Sequence, residues 1–507
     1  MFRMPVRTCL FAASTLVALT LLARPDAATA QEGGAKVTVD PALFEALEYR
    51  SVGPSRGGRS TAVTGYTDRL HTFLMGTVGG GIWRTDDAGQ SWVNISDGFL
   101  NVGPVGALAV APSNHDIVYA GTGSGGIRGN VSVGDGMYRT TDDGATWQWI
   151  GLPDSRHINR IWVHPSDANH VYVAALGSVF GPSEQRGVYR TTDGGANWEQ
   201  VLYVNDGTGA IDLMMSPDDP ATLYAAMWTA QRTPWAMFSG SEGGGVFKTT
   251  DGGTSWTKLG GGLPEMIGRI GLAISPADPD RVYVLAEAEG DLRGLWRSED
   301  RGASFTQISD DRNMMARPWY YTHVDAHPTD PDIVYINNES FFRSDDGGRT
   351  LVNIPTPHGD NHDMWINPDH PEIYIQSNDG GANVTFNGGR TWSTQYNQPT
   401  AEFYTVTADD QFPYRLYAPQ QDNTTISVPS RITRGLTPSE DWFRGPGCET
   451  GPITVDPRNP DILYGACKGW VTRLDRSTNQ LREIWIWPQE PHALPNSQLK
   501  YREQWVS

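Results

Sequence analysis

The densest group of side chains that could do chemistry is the hexapeptide HGDNHD, residues 358–363. Alternate residues of an extended chain share a face, which predicts that His358, Asp360 and His362 point to one side and Asp363 to the other. Carboxylates beside imidazoles could transfer protons, so Asp360 and Asp363 are the catalytic candidates. The same residues could instead form a polar structural network, contact a ligand, or bind a divalent cation through His358, Asp360 and His362. Their spacing matches no established metal signature, and we predict no metal or other cofactor.

A second group of candidates lies on long, irregular segments between residues 228 and 425. These segments combine aromatic rings with amides, guanidiniums and a carboxylate. Such mixtures suit sugar rings, through stacking and hydroxyl hydrogen bonds, and suit a peptide nearly as well. The predicted ligand contacts, in addition to His358 and His362, are Arg232, Trp235, Arg317, Trp319, Tyr320, Tyr321, Gln420, Gln421, Asp422 and Asn423.

The elements that must position these loops are encoded by a repeated motif, Ser/Thr-x-Asp-x-Gly-x-(Ser/Thr/Asn)-aromatic, of which TTDDGATW is one copy. A motif that recurs at this spacing indicates a repeat architecture. Its Asp and Ser/Thr side chains suit a tight turn, its glycine a left-handed position, and its aromatic residue packing between neighbouring units. We therefore interpret these aspartates as structural. The seven copies, of which the sixth ends in leucine and the last carries Asn387 for Asp, end at Trp92, Trp147, Trp198, Trp256, Phe305, Leu351 and Trp392.

A Pro-rich turn followed by an apolar residue and tyrosine precedes most copies of the motif, and together they predict four short antiparallel strands per unit. Four such strands make one blade of an all-β propeller. Nine units can be counted up to Trp470, and the first seven carry the motif. We predict a seven-bladed ring over residues 50–400, followed over residues 401–507 by the start of a second, truncated ring. The alternative is a single ring of eight to ten blades. In either case, the loops after the second and fourth strands surround the mouth of the channel.

The first 30 residues resemble a secretory signal peptide, with Arg3 and Arg7 before an apolar run and Ala28 to Ala30 as the cleavage site. Residues 31–49 form a lead-in to the propeller. No later apolar run reaches the length of about 20 residues that a membrane helix needs. We therefore predict an exported protein, periplasmic or extracellular, without a membrane span.

The formal net charge is −19, and removal of the predicted signal peptide changes it to about −21, because three arginines and one aspartate are lost. Such an acidic chain disfavours nucleic acid as a partner. The two cysteines of the mature chain, Cys448 and Cys467, flank a predicted hairpin with its turn near residues 458–461. Pairing about that turn would bring them close enough for a disulfide, and the alternative is two reduced, buried thiols.

With the repeated motifs in hand, the chain resembles the Asp-box (BNR) repeat families. One of these is the sortilin-type (Vps10) propeller, and many bacterial exported proteins with a sortilin-like N-terminal domain carry HGDNHD and QQDN stretches like residues 358–363 and 420–423. The resemblance covers about residues 47–507. It implies an exported propeller that binds a glycan or peptide at its loop-rich mouth.

The chain also resembles the xyloglucanase family of glycoside hydrolases, which is built from two seven-bladed propellers and opens with a similar glycine-rich blade, here Gly57 to Arg84. In that family an Asp-x-Gly-Gly pattern after the second strand supplies a catalytic carboxylate. Thr77 occupies that position here, and a threonine cannot serve as acid or base in a two-carboxylate inverting mechanism. The resemblance therefore implies, as the alternative function, a glycoside hydrolase that uses other carboxylates.

Overall fold

The computed structural model describes residues 40–45, 50–128, 131–432, 441–485, 487, 498 and 500. The predicted signal peptide and most of the lead-in lie outside these residues. The chain divides into two units, Met1–Ser51 and Val52–Ser507. In the first, a short 3-10 helix, Pro41–Phe44, is capped by Asp40, whose carboxylate accepts a hydrogen bond from the Ala42 amide. Within the described ranges, no helix is long and apolar enough to cross a bilayer.

The second unit is all-β, and its described residues form nine antiparallel sheets whose main strands pair in chain order. Sheet 1 contains β1 (Ser60–Gly65), β2 (Phe73–Thr77), β3 (Ile82–Thr85) and β4 (Val93–Asn94). Sheet 2 contains β5 (Val105–Val110), β6 (Val118–Thr122), β7 (Met137–Thr140) and β8 (Gln148–Gly151). Sheet 3 contains β9 (Ile158–His164), β10 (Asp167–Ala175), β11 (Gly187–Thr191) and β12 (Glu199–Leu202). Sheet 4 contains β13 (Thr208–Met215), β14 (Leu223–Arg232), β15 (Met237–Ser239), which pairs only with β14, β16 (Gly245–Thr249) and β17 (Thr257–Lys258).

The next three sheets continue the pattern, with two further 3-10 helices at Gly290–Leu292 and Arg312–Met315. Sheet 5 contains β18 (Ile270–Ile274), β19 (Val282–Ala286), β20 (Gly294–Ser298) and β21 (Thr306–Ser309). Sheet 6 contains β22 (His323–Ala326), β23 (Val334–Asn337), β24 (Phe341–Ser344) and β25 (Val352–Asn353). Sheet 7 has three strands, β26 (Asn361–Ile366), β27 (Tyr374–Asn378) and β28 (Gly381–Thr385).

Two further sheets follow. Sheet 8 contains β29 (Thr407–Ala408), β30 (Arg415–Pro419), β31 (Thr425–Pro429) and β32 (Phe443–Arg444). Sheet 9 contains β33 (Ile453–Asp456), β34 (Asn459–Cys467), β35 (Trp470–Asp475) and β36 (Gln480–Glu483). Its β33–β34 hairpin lies between Cys448 and Cys467, which form a disulfide with their Cα atoms 5.1 Å apart.

The first strand of each of sheets 1–6 contacts the first strand of the next sheet, and β26 of sheet 7 contacts β1 of sheet 1. The second strands β2, β6 and β19 are fully buried, because each of their sheets has a neighbour on both faces. Such strands read as continuous apolar runs rather than as alternating ones. The four strands that the sequence predicts in the third unit are confirmed by β9 to β12.

The repeated motif forms the turn between the third and fourth strands. In the second sheet, the Thr140 hydroxyl accepts a hydrogen bond from the Gly144 amide (2.9 Å). The Asp142 carboxylate accepts from the Thr146 amide (2.8 Å) and from the Thr146 hydroxyl (2.6 Å), and these bonds lower the pKa of Asp142. The motif aspartates thus satisfy their own turns, as expected for structural residues.

The aromatic residues of each unit connect neighbouring sheets. Tyr119, on the second strand of sheet 2, donates its hydroxyl to the Ala168 carbonyl of sheet 3 (2.7 Å). Trp147, the last residue of the sheet 2 motif, donates its indole N–H to the Ile95 carbonyl, which follows the last strand of sheet 1 (2.9 Å). Sheet 2 is therefore connected to both neighbours by side chains that recur in the sequence.

Candidate functional site

A β-bulge recurs near the start of the first strand of five sheets, in β1, β5, β9, β13 and β26. At each bulge the pairing with the second strand skips one residue. A bulge leaves the extra residue unpaired and redirects its side chain. The five skipped residues line one cavity of about 60 Å³, which has room for a few water molecules. They are Thr61, Gly106, Asn159, Ile211 and His362.

Charged side chains of four sheets meet along one side of this cavity. Arg160 of sheet 3 pairs with Asp212 of sheet 4 (Nε to Oδ1, 2.9 Å) and with Asp363 of sheet 7 (Nη1 to Oδ1, 3.3 Å). It also donates to Nδ1 of His323 in sheet 6 (2.9 Å), and His323 is paired in turn with Asp325 (2.9 Å). Burial opposes the charge of Arg160, but Asp212 and Asp363 raise its pKa above the usual value. Arg160 is therefore fully neutralised.

Asp363 is engaged in this network rather than free to act as a catalyst. Its Oδ2 accepts the Val63 amide of sheet 1 (2.9 Å), while its Oδ1 meets Arg160. The expectation that Asp363 would point away from His362 is also wrong, because the bulge between Asn361 and Asp363 breaks the alternation and both side chains line the cavity.

A buried carboxylate that the sequence did not single out lies beside the cavity. Asp379, whose side chain is 1% exposed, accepts two hydrogen bonds from Arg59 (2.7 and 3.0 Å), which precedes the first strand. It also accepts from the Tyr320 hydroxyl (3.1 Å), His362 Nε2 (2.6 Å) and Gln421 Nε2 (3.0 Å). Burial alone would raise the pKa of Asp379, but the charge of Arg59 and these hydrogen bonds hold it well below its usual value.

The neighbouring carboxyl group of Asp422 has its pKa shifted in the opposite direction. Burial, together with the hydrogen bond to Asp379 and the charges of Asp379 and Glu449, raises the pKa of Asp422 to about 10. The Asp422 amide donates to Glu449 (2.9 Å), which pairs with Lys468 of sheet 9 (2.8 Å). A chain of polar contacts therefore runs from sheet 7 through the sheet 8 turn to sheet 9.

The histidine-containing set considered for a metal ion does not converge. His358 directs Nε2 to the backbone carbonyl of Asp422 (3.0 Å), whereas His362 contacts Asp379. Asp360 adopts a left-handed backbone (φ 61°) and pairs with Arg317 (3.4 Å). The three side chains have different partners, so they form no common set of ligands.

Carboxylate oxygens of Asp360, Asp379 and Asp422 do lie within 4.8 Å of one another. A metal ligand must offer a free lone pair, and both oxygens of Asp379 already accept hydrogen bonds from Arg59 and other donors. Asp379 therefore has no lone pair left for a cation.

Two of the predicted amide contacts, Gln420 and Gln421, are buried between sheets 7 and 8. Gln420 is fully buried, donates to the Gly57 carbonyl (2.7 Å) and accepts from Arg56. Gln421 is 2% exposed and donates Nε2 to Asp379 and Asp422, while the Asn423 amide donates to the Gln420 carbonyl (3.0 Å). Gln420 and Gln421 are therefore not exposed, and the role of these residues as ligand contacts stays a prediction.

The aromatic candidates divide in the same way. Tyr320 and Tyr321 are 6% and 1% exposed, and Trp319 is half-buried against the core. Trp235 is 84% exposed, at the turn between β14 and β15, where Arg232 donates its amide to the Val179 carbonyl (2.7 Å).

Two aromatic residues that the sequence did not single out are exposed near Trp235. Phe238 lies on β15 and is 57% exposed, and Phe180, next to Val179 on the loop after β10, is 51% exposed. The bond from Arg232 to Val179 joins the two segments, so three exposed rings occupy adjacent loops that follow second strands.

Thr77 and Asp379 occupy related places in the first and seventh sheets. Thr77 ends β2 and is buried, and its hydroxyl accepts the Gly80 amide (2.7 Å), so it closes the hairpin. Asp379 directly follows β27 in the sequence Asn-Asp-Gly-Gly. A comparison of that stretch with the glycine-rich turn after β2 could have identified Asp379, whereas the contact with Arg59 spans 320 residues and no local pattern reveals it.

Comparison with known proteins connects the chain to two groups. The family model for sortilin and neurotensin receptor 3 (Sortilin-Vps10) matches residues 80–213. A xyloglucanase from Paenibacillus sp is 26% identical over 318 residues, which cover 54% of this chain and 29% of that protein. A xyloglucanase from Hypocrea jecorina is 26% identical over 259 residues, which cover 45% of this chain and 30% of that protein. The chain thus spans about a third of the length of these curated relatives.

Solved structures give the same result for the fold. The GH74 xyloglucanase from Xanthomonas campestris has a TM-score of 0.55 and 16% identity, covering 87% of this chain and 76% of that one. A GH74 enzyme from Niastella koreensis has a TM-score of 0.52 and 14% identity, covering 86% and 74%. The chain is a β-propeller protein related to the xyloglucanase family.

Proposed function

We propose that this chain binds a glycan across the loops that follow the second strands of sheets 3 and 4. The observation that carries the proposal is the group of exposed rings Phe180, Trp235 and Phe238 on these adjacent loops. Exposed aromatic rings are costly in water and provide flat stacking surfaces for sugar rings. The named activity of the relatives makes xyloglucan the first polysaccharide to test.

The architecture that presents this surface is, in our proposal, a closed seven-bladed ring of sheets 1–7, followed by the start of a second ring in sheets 8 and 9. The contact of β26 with β1 supports closure, and the contacts of β33 with β29 and β30 support a second set of neighbouring blades. The apolar N-terminal run and the Cys448–Cys467 disulfide support export to an oxidising compartment.

The test is calorimetric titration of the full chain with xyloglucan oligosaccharides. We expect Trp235→Ala to weaken binding about tenfold, since loss of a stacking ring costs up to about 1.5 kcal/mol. Trp235→Phe should retain most of the affinity. Phe412→Ala is the matched control, because Phe412 is 98% exposed but lies in the connection between β29 and β30. Equal affinities for wild type and Trp235→Ala would contradict the proposal, and binding of peptides alone would favour a peptide ligand.

Measuring reducing ends in the same mixtures of protein and oligosaccharide tests the alternative that the chain is a glycoside hydrolase. Asp360 is the remaining catalytic candidate, because its side chain is 20% exposed and contacts only Arg317 among the ion pairs of the described residues. Asp363, by contrast, connects sheet 7 to sheets 1 and 3 through its contacts with Val63 and Arg160. If wild type releases reducing ends and Asp360→Asn does not, the chain is a hydrolase. Binding without release of reducing ends supports a chain that recognises the glycan but does not cleave it.

A further inference from the structure

A second group of exposed apolar side chains lies on sheet 2. Trp149, on β8, is 47% exposed, and its indole N–H donates to the Asp135 carbonyl (3.0 Å). This hydrogen bond connects the ring to the segment that follows the second strand of the sheet, β6. Phe99 and Val133 are exposed as well, and Val133 lies two residues before Asp135. The Trp149 ring is therefore held at the surface and is not packed between sheets.

The residue that accepts the Trp149 hydrogen bond also brings polar groups to this surface. The half-buried Asp135 carboxylate accepts from the Tyr138 hydroxyl (2.8 Å) and from the side-chain amide of Asn101 (3.3 Å), which is exposed. An aromatic face with a carboxylate and an amide nearby suits a sugar, because the ring stacks and the polar groups bind hydroxyls. The carboxylate and the formal net charge of −19 favour a neutral sugar over an acidic one.

Trp149 lies at the same end of the sheets as the rings of the proposed glycan surface. Sheets 2, 3 and 4 are consecutive neighbours, since β5 contacts β9 and β9 contacts β13. Their strands pair in the same order, so the segments that follow the second strands leave the sheets at the same end. Asp135 lies on that segment in sheet 2, Phe180 in sheet 3 and Trp235 in sheet 4. Exposed rings therefore continue across three successive sheets.

The spacing of these sheets sets the size of a ligand that reaches all three. Sheets packed face to face lie about 10 Å apart, so sheets 2 and 4 are separated by about 20 Å. A single sugar residue cannot bridge that distance, whereas a chain of several residues can.

We propose that Trp149 forms a further stacking subsite for a neutral glycan chain that crosses sheets 2, 3 and 4. The inference rests on the proposed glycan binding, and it identifies the ligand as a polysaccharide rather than a short sugar. Trp149 then adds affinity only for ligands long enough to extend from the rings of sheets 3 and 4 to sheet 2.

The experiment titrates the full chain with polymeric xyloglucan and with the shortest xyloglucan oligosaccharide that binds. We expect Trp149→Ala to weaken binding of the polymer about tenfold, because a stacking ring is lost, and to leave binding of the short oligosaccharide unchanged. Trp149→Phe keeps a ring but loses the bond to the Asp135 carbonyl, and it should retain most of the affinity. Tyr414→Ala is the matched control and should bind like wild type, because Tyr414 is 46% exposed but lies in the connection between β29 and β30.

Thermal unfolding shows whether each variant is folded, and the wild-type comparison needs no variant. Equal affinities of wild type for the polymer and the short oligosaccharide would overturn the inference, as would equal affinities of wild type and Trp149→Ala for the polymer. Binding of polygalacturonate as tight as that of xyloglucan would contradict a neutral ligand.

Trp235→Ala, measured alongside, separates this inference from the proposed function. If Trp235→Ala weakens binding and Trp149→Ala does not, the surface of sheets 3 and 4 stands and the Trp149 subsite is wrong. If only Trp149→Ala weakens binding of the polymer, Trp149 binds the glycan and the proposed surface of sheets 3 and 4 is wrong.

Discussion

At Asp422 a single proton decides whether two neighbouring carboxyl groups attract or repel each other. The folded chain holds this group protonated beside Asp379, with its pKa raised to about 10, whereas in the unfolded chain it has the ordinary aspartate value. Its contribution to stability is therefore complete below a pH of about 4 and is lost progressively as pH rises towards 10. The charge that then develops beside Asp379 would separate sheet 7 from the segment that follows it.

We expect Asp422→Asn to remove part of this loss, because asparagine keeps the shape, can donate to Asp379 and cannot ionise. Wild type should lose more thermal stability than Asp422→Asn between pH 6 and pH 10, as measured by melting temperature. Asp410→Asn, an exposed position in the same sheet, is the control and should follow wild type. Parallel curves for wild type and Asp422→Asn would show that Asp422 is not protonated in the folded chain.

At the level of the element, the repeated turn explains why the sequence reports the architecture so clearly. In its sixth copy, Asp346 accepts hydrogen bonds from the Thr350 amide (2.9 Å), the Thr350 hydroxyl (2.7 Å) and the Ser344 hydroxyl (2.7 Å). Its neighbour Asp345 forms an exposed pair with Arg343. The two aspartates carry the same charge, and they differ in which hydrogen bonds their position in the turn allows.

Asp346→Ala should therefore lower the free energy of unfolding by about 1 to 2 kcal/mol, since it leaves the turn donors unsatisfied. Asp345→Ala should cost little, because exposed ion pairs contribute little. Asp346→Asn should be mild, since Asn387 accepts the Thr391 amide at the same place in the seventh copy (2.9 Å). Urea denaturation of the three variants measures these differences. A loss for Asp345→Ala equal to that for Asp346→Ala would contradict a structural role of the motif.

The bulges in the first strands of the sheets are a feature that the sequence pattern does not predict. Strict alternation places His362 and Asp363 on opposite faces, but one skipped residue brings both to the cavity. A bulge depends on how the strand pairs with its neighbours, and the residues of Asn361 to Asp363 contain no local sign of it.

For the whole molecule, the local repeats predicted the sheets, and the parts that failed depend on long-range contacts. The turn motif and the tyrosines act within one unit or between neighbours, so their spacing alone indicates the blades. Arg59 and Asp379 meet across 320 residues. Gln420 is buried because a later segment folds back on Gly57. The predicted loop residue Gln420 is therefore buried between sheets, while Phe180 and Phe238 are exposed.

The central claim is that the ligand binds on adjacent loops of sheets 3 and 4 and not on the amide-rich segment of sheet 8. Hydrogen–deuterium exchange of the full chain, with and without a xyloglucan oligosaccharide, measures this directly. We expect slower exchange in residues 176–187 and 230–245, with little change in residues 418–425. Protection confined to residues 418–425, or none in either loop at saturating ligand, would contradict it.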